Sequence, residues 1–209
     1  MDSGLWRIWI LLQDVAAQFA EEHDKLAEMV EEISRLPDLI IGNKVAVKWS
    51  DLPILSWQWA EGVFNWGFDI PLTSRVNAIS FTAKLSRLRI SGCDFTASSE
   101  TAFWNAFENS PADPAKLNSA AIAGIEEGVL MVKEWVQIAG KEIYECEAQT
   151  GLPHEGLWIG EKGFSRARWE FWKERAWWIS DQQKLSSSIR QVAKEIGERM
   201  EEIEMAQHA

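Results

Sequence analysis

The chain has 209 residues, a 46% hydrophobic and 25% charged composition, and a formal net charge of −11 with a pI near 4.8. A chain of this length buries roughly two thirds of its unfolded surface, and the composition is that of an ordinary globular protein. The acidic field repels phosphate backbones, which argues against nucleic acid as a partner, and no apolar run approaches the about 20 residues of a membrane span.

Thirteen tryptophans stand against a single tyrosine. A tryptophan buries a large flat area and still carries an N–H that needs an acceptor, so it suits a wide core, a pocket wall or an interface. The two cysteines, Cys93 and Cys146, are too few for a disulfide framework and read as small buried hydrophobes. The apolar run Ile8–Leu12 is short and follows Asp2 instead of a basic stretch, so no secretory leader is expected. The expected compartment is the reducing cytoplasm.

From Leu5 to Leu36 apolar residues recur every three or four positions, which predicts amphipathic helix. Ser3 is its expected N-cap and Pro37 its stop. A gap in the stripe at Glu21–Asp24 predicts a break into two helices; the alternative is one long helix that leaves the core and meets a partner chain. Residues 37–53 form a connection, with Val45–Trp49 as a short extended piece. Asp51 is the expected cap of a short helix carrying Trp57, Trp59, Val63 and Phe64. Thr73 or Ser74 then opens a helix to about Leu88, with Val76, Ile79, Phe81 and Ala83 inward and Gly92 as its stop.

A short helix within Asp94–Asn109 presents Phe103, Trp104 and Phe107. After the turn containing Pro114, a long helix is expected over Ala115–Gln149, its stripe running from Leu117 through Trp135 and Ile143 to Cys146. Gly124, Gly128 and Gly140 interrupt it, each costing about 1 kcal/mol against alanine, and read as close packing or a kink. Gly156, Gly160 and Gly163 make an irregular approach to Ser165, a predicted N-cap. The helix that follows carries Trp169, Trp172, Ala176 and Ile179 on one stripe, while its bases (Arg166, Arg168, Lys173, Arg175) alternate with Glu170 and Glu174 as a solvated face does. Leu185, Ile189, Val192, Ile196, Met200 and Ile203 give a last amphipathic helix. The expected fold is therefore all-α: a single-domain bundle of seven or eight helices over residues 1–209 with a Trp-rich core, residues 1–36 forming a helical arm packed on 50–205.

Three stretches carry a family resemblance: WSDLP at Trp49–Pro53, RVNAISFTAKL at Arg75–Leu85, and EGLWIGEKGFSRARWEFWKER at Glu155–Arg175. Together they resemble a fungal family of uncharacterised helical proteins, known as a domain of unknown function. That family pairs an Asn-Ala-Phe type motif in a mid-chain helix with a Gly-rich turn leading into an Arg-Trp-x-x-Trp-Lys helix. The matching residues are Asn77, Ala78, Phe81, Gly160, Gly163, Phe164, Arg168, Trp169, Trp172 and Lys173; Ile79 and Ser80 intervene before Phe81, a departure from the first motif. The resemblance implies a fungal source and a helical fold, and it assigns no chemistry.

The three histidines, His23, His154 and His208, stand in no metal-ligand spacing, and His23 and His208 read as surface residues. No Gly-rich phosphate loop follows a strand, and no Gly-x-Ser-x-Gly elbow is present. No cofactor and no metal are expected. Two functions of different classes follow. The first is a cofactor-free pocket for an apolar small-molecule metabolite, lined by Trp66, Phe81, Trp104, Trp135, Trp169 and Trp172. In its sharpest form this is an enzyme: a cyclase or isomerase of fungal secondary metabolism, of the Diels–Alder kind. It would hold one folded conformer and aim a donor from Tyr144, Asn77, Arg168 or His154 at a carbonyl. The second is a helical protein–protein interaction module, in which the N-terminal helix forms a homodimer. An exposed patch of Trp6, Trp9, Trp177 and Trp178 would point to association, and mid-chain tryptophans around a cavity would point to a ligand.

Overall fold

The computed structural model describes residues 3–64, 70–148 and 156–208. The fold is all-α. The described residues contain eight α-helices, buried aromatic clusters rich in tryptophan, and one small hairpin. The chain divides into two compact units, Met1–Phe95 and Thr96–Ala209.

The first unit begins with α1 (Ser3–Gln18) and α2 (His23–Ser34). They are separated, near the predicted break, by Phe19, whose backbone (φ −128, ψ 81) leaves the helical region, and by a 3₁₀ turn, Ala20–Glu22. Next come β1 (Leu39–Ile41) and β2 (Lys44–Val47), joined at Gly42 and Asn43 into an antiparallel hairpin with a bulge between Leu39 and Ile40. The second strand overlaps the expected extended piece at Val45–Val47, and β1 lies outside it. The short helix α3 (Leu55–Trp59) runs on into a π-helical turn, Ala60–Phe64, and α4 covers Leu72–Arg87.

Three boundary signals in this unit differ from expectation. Asp51 does not cap α3: it sits in a 3₁₀ turn and pairs with Lys48 at 2.9 Å, while Ile54 precedes the helix in a left-handed conformation (φ 61). Leu52, almost fully buried, is also left-handed (φ 43). Nor does a Thr73 or Ser74 side chain cap α4, which opens directly after Pro71. Gly92 is not the stop of α4, for Arg89 (φ 54) already turns the chain. Gly92 serves a different need: at φ 86, an added Cβ would stand 2.5 Å from the Asp51 carbonyl oxygen.

The core of the unit is aromatic, and the N–H groups of two buried tryptophans are paired. Trp9 Nε1 donates to the Pro53 carbonyl at 3.0 Å, and Trp59 Nε1 donates to Thr82 Oγ1 at 2.8 Å. Phe81 lies against Trp59 and His23, with ring centroids 5.6 and 5.2 Å apart. His23 is therefore a core residue and not the surface residue its polar neighbours suggested; it is 2% exposed, with Nε2 2.8 Å from the Ala16 carbonyl. The turn between α1 and α2 folds it inward.

The second unit contains α5 (Ser99–Phe103), continued by a π-helical turn at Trp104–Glu108, then α6 (Ser119–Glu145), α7 (Arg166–Ser180) and α8 (Ser187–His208). The long helix starts four residues later than predicted. A 3₁₀ turn occupies Pro114–Lys116, Leu117 is extended, and the Asn118 side chain caps α6 by accepting from Ala121 N at 2.9 Å. The kink falls at Ala139 (φ −123, ψ 23). Beside it, Gly140 leaves room for Ile203, and Gly128 lies so close to α5's continuation that a Cβ would meet Ala106 Cα at 2.9 Å. Gly124 faces open space. Ser165 caps α7 as predicted, accepting from Arg168 N at 3.1 Å, and Trp169, Trp172, Ala176 and Ile179 are all buried. Helix α8 packs on both α6 and α7.

Candidate functional site

The residues expected to line one pocket divide between the units. Asn77 and Phe81 belong to the first, where Asn77 Nδ2 donates to the Ala17 carbonyl at 3.1 Å and ties α4 to α1. Trp104, Trp135, Tyr144, Arg168, Trp169 and Trp172 belong to the second. Trp66 and His154 lie outside the described residues. The second unit does bring several candidates together. Arg166 lies over the Tyr144 ring, its Cζ 3.3 Å from the ring centre, and Trp169 meets the same ring edge-on, with centroids 5.1 Å apart. Trp169 Nε1 donates to Glu204 Oε1 at 2.8 Å, and Lys173 Nζ reaches the same carboxylate at 2.6 Å, fastening α7 to α8.

The most highly organised polar group surrounds Arg168. Its Nε donates to Glu108 Oε1 at 2.8 Å and its Nη2 to Glu108 Oε2 at 2.9 Å, a two-point bond that a planar guanidinium makes and an ammonium does not. Its Nη1 donates to Glu100 Oε1 and, at 2.8 Å, to the Gly163 carbonyl. Trp172 Nε1 adds a bond to Glu108 Oε1 at 2.6 Å, and the Trp172 ring packs on Phe103 at 4.4 Å. Arg168, Glu100 and Glu108 are each almost fully buried. Burial opposes the Arg168 charge, but the bonds and fields of Glu108 and Glu100 outweigh it and hold the guanidinium above its ordinary pKa. Among the described residues of this unit, the buried side-chain atoms Glu100 Oε2, Trp135 Nε1 and Arg190 Nε bond no partner.

Two turns further along α7, Arg175 is buried against neutral acceptors. Its Nε donates to the Phe107 carbonyl at 3.0 Å and its Nη2 to Ser110 Oγ at 2.9 Å. Burial lowers its pKa to about 10. The stripe Arg168–Trp172–Arg175 thus grips the end of the π turn by side chain and carbonyl alike. Neither Glu100 nor Glu108 was singled out from sequence. Glu100 could have been, because Glu100, Phe103 and Phe107 are spaced by three and four and share one apolar face.

A different surface is left uncovered in the first unit. Helix α1 is apolar around most of its circumference. Trp9, Leu12, Ala16 and Ala17 are buried, and a second stripe, Ile8, Leu11 and Val15, is spaced by three and four. Of these, Ile8 is 44% and Leu11 63% exposed, and exposed Phe19 continues the line past the helix end. On the opposite flank Trp6 and Trp57, both about half exposed, meet edge-on at 6.1 Å. Trp9 does not join such a patch, being buried, and Trp177 and Trp178 are partly covered by their own unit: Trp177 by α8 at Gly197 and Glu201, Trp178 by Arg175 at 4.1 Å. The hairpin shows Leu39, Ile40, Ile41 and Val45 to solvent. No helix among the described residues is long and apolar enough to cross a membrane.

Residues 9–176 match a family described as a protein of unknown function, DUF3632. The match takes in both units up to Ala176 near the end of α7 and omits α8. No curated protein and no solved structure matches the chain. The chain belongs to the DUF3632 family.

Proposed function

We propose that this member of the family is a helical association module that receives a partner on the outer face of α1. The observation that carries the proposal is the second apolar stripe, Ile8, Leu11 and Val15, on a helix whose first stripe already fills the core. A helix apolar on nearly all sides is one meant to be covered on more than one side, and an apolar patch rimmed by polar groups marks an interaction site. The exposed hairpin adds apolar surface of the same unit, on a two-stranded sheet that is marginal by itself.

The test replaces Leu11 by aspartate, a position exposed enough that the fold should be preserved, and compares the size of the species containing the chain in an extract of the cells that make it. The wild type is expected to run as a complex larger than one chain, and Leu11→Asp as a single chain with an unchanged far-UV spectrum. A wild type that runs as a single chain in extract overturns the proposal.

A second reading, the cofactor-free metabolite pocket, is favoured by one specific observation: the unpaired, buried acceptor Glu100 Oε2 and donor Trp135 Nε1 in the tryptophan-lined second unit. A ligand hydroxyl would satisfy the first and a ligand carbonyl the second. In its finest form this is the intramolecular cyclisation of a metabolite of fungal secondary metabolism, in the cytoplasm. Native mass spectrometry after incubation with a metabolite extract tests it; a retained mass absent from the Glu100→Ala, Trp135→Phe variant supports it, and bare protein refutes it.

A further inference from the structure

We infer that the partner of α1 is a second copy of this chain, seated antiparallel on the first about a two-fold axis level with Ile10 and Leu11. The inference rests on the association reading above and adds the identity and direction of the occupant. Its basis is the charge pattern beside the exposed stripe. Apart from Gln13, which is buried and donates to the Gln58 carbonyl at 3.0 Å, the residues that interrupt the apolar circumference of α1, at 100° per residue, are Ser3, Arg7, Asp14 and Gln18, one narrow polar sector bordering Leu11. Arg7 and Asp14 are the only charges of the helix, and they cancel, in a chain whose net charge is −11. They stand seven residues apart, two turns along the same border. Both are exposed, and neither has an ion-pair partner among the described residues.

That arrangement is self-complementary in one direction only. A parallel copy would set Arg7 beside Arg7 and Asp14 beside Asp14. An antiparallel copy, with its two-fold axis midway between positions 7 and 14, sets Arg7 of each chain beside Asp14 of the other, twice over. The same axis places Ile8 of one copy between Leu11 and Val15 of the second, the knob-into-hole relation of packed helices. In an isologous interface every contact occurs twice, so both pairs form or neither does. A partner of general acidic or basic character would meet no net charge on α1. An apolar stripe bordered by one balanced Arg–Asp pair therefore fits its own image.

The decisive experiment is a charge exchange read by sedimentation equilibrium on the purified full-length chain. The wild type is expected to be a dimer. Arg7→Glu and Asp14→Arg should each weaken the dimer by roughly tenfold, since two attractive exposed pairs become two repulsive ones. An equimolar mixture of the two single variants should form a heterodimer as tight as the wild type. In the antiparallel arrangement the two introduced charges, acidic on one chain and basic on the other, then face each other, and so do the native Arg7 and Asp14 that remain. Raising the salt should shrink these differences. A purified chain that is monomeric at 100 µM overturns the second-copy inference; if Leu11→Asp still dismantles the complex seen in extract, the association reading stands. A dimer indifferent to all three charge tests overturns the antiparallel arrangement, and a wild type that is single-chain both in extract and when purified removes both.

Discussion

Arg168 shows how much of this protein's stability is concentrated in single side chains. Removing one partner of a buried ion pair leaves a bare charge in a dry site, at a cost of about 3–5 kcal/mol. Arg168→Met strands both Glu100 and Glu108 and should lower the free energy of urea unfolding by about that amount. Glu100→Gln should cost at most about 1 kcal/mol, because Glu108 alone keeps the two-point bond and Glu100 Oε2 bonds nothing. Equal losses in the two variants would show that the cluster is not organised around the guanidinium. Cys93 gives a second residue-scale expectation. Burial pushes its thiol up to about 12, so the thiolate that reacts is absent at pH 8. A disulfide reagent should leave Cys93 untouched in the native protein and modify it only as urea unfolds the chain. The sign of the pH effect follows: the unfolded thiol ionises near 9.0 and the folded one does not, so the folded state loses stability as pH rises from 9 toward 12. The alternation of bases and acids along α7 reads as a solvated face, yet Arg168 and Arg175 are buried; charge spacing along one helix is local, whereas the bonds of Arg168 span 60 and 68 residues.

At the scale of elements, the helices that were legible are those whose boundaries are written in local chemistry. Ser165 announces α7 because its hydroxyl caps it, and the gap after Phe19 announces the break between α1 and α2. The starts of α3 and α4 were not legible, because left-handed Leu52 and Ile54 and the turn at Pro71 are imposed by tertiary packing and not by caps. The hairpin escaped because neither strand alternates apolar and polar residues over enough length, and both are largely exposed. The glycines of α6 offer a clean contrast within one helix. Gly124→Ala should stabilise by about 0.5–1 kcal/mol, since nothing lies within 4 Å and alanine restores helix propensity. Gly128→Ala should instead destabilise by about 1–3 kcal/mol, because the new methyl would collide with the Ala106 backbone at 2.9 Å. Thermal melts of the two variants check both signs at once; a shared sign would mean that α5 and α6 do not approach as closely as the structure has them.

For the whole molecule, the all-α class and the aromatic core followed directly from periodicity and tryptophan content, and the eight helices bear that out. What composition could not supply was the side on which each tryptophan falls. Trp9, Trp59, Trp135, Trp169 and Trp172 went into the two cores, while Trp6 and Trp57 stayed at the surface. A helix with two apolar faces reads the same from sequence whether its second face meets its own chain or another. At this scale the expected outcome is that Ile40→Lys and Ile41→Lys on the exposed hairpin leave the unfolding free energy within about 0.5 kcal/mol, as surface substitutions do. Urea titration of both variants checks it, and a larger loss would mean that the hairpin is covered.

The π-helical turn after α5 has a consequence for how the two carboxylates came to share one guanidinium. Eight residues of plain α-helix would set Glu100 and Glu108 about 80° apart around the axis, on different faces. A wider turn advances the chain by less rotation per residue, and about five residues of it bring the two positions nearly into line. The bond from Asn109 N to Trp104 O at 2.8 Å is the trace of that widening. The surplus residue in the turn is therefore what aims Glu108. Deleting Asn105 would leave every charged residue in the chain, yet rotate Glu108 away from Arg168 and dissolve the cluster without touching any member of it.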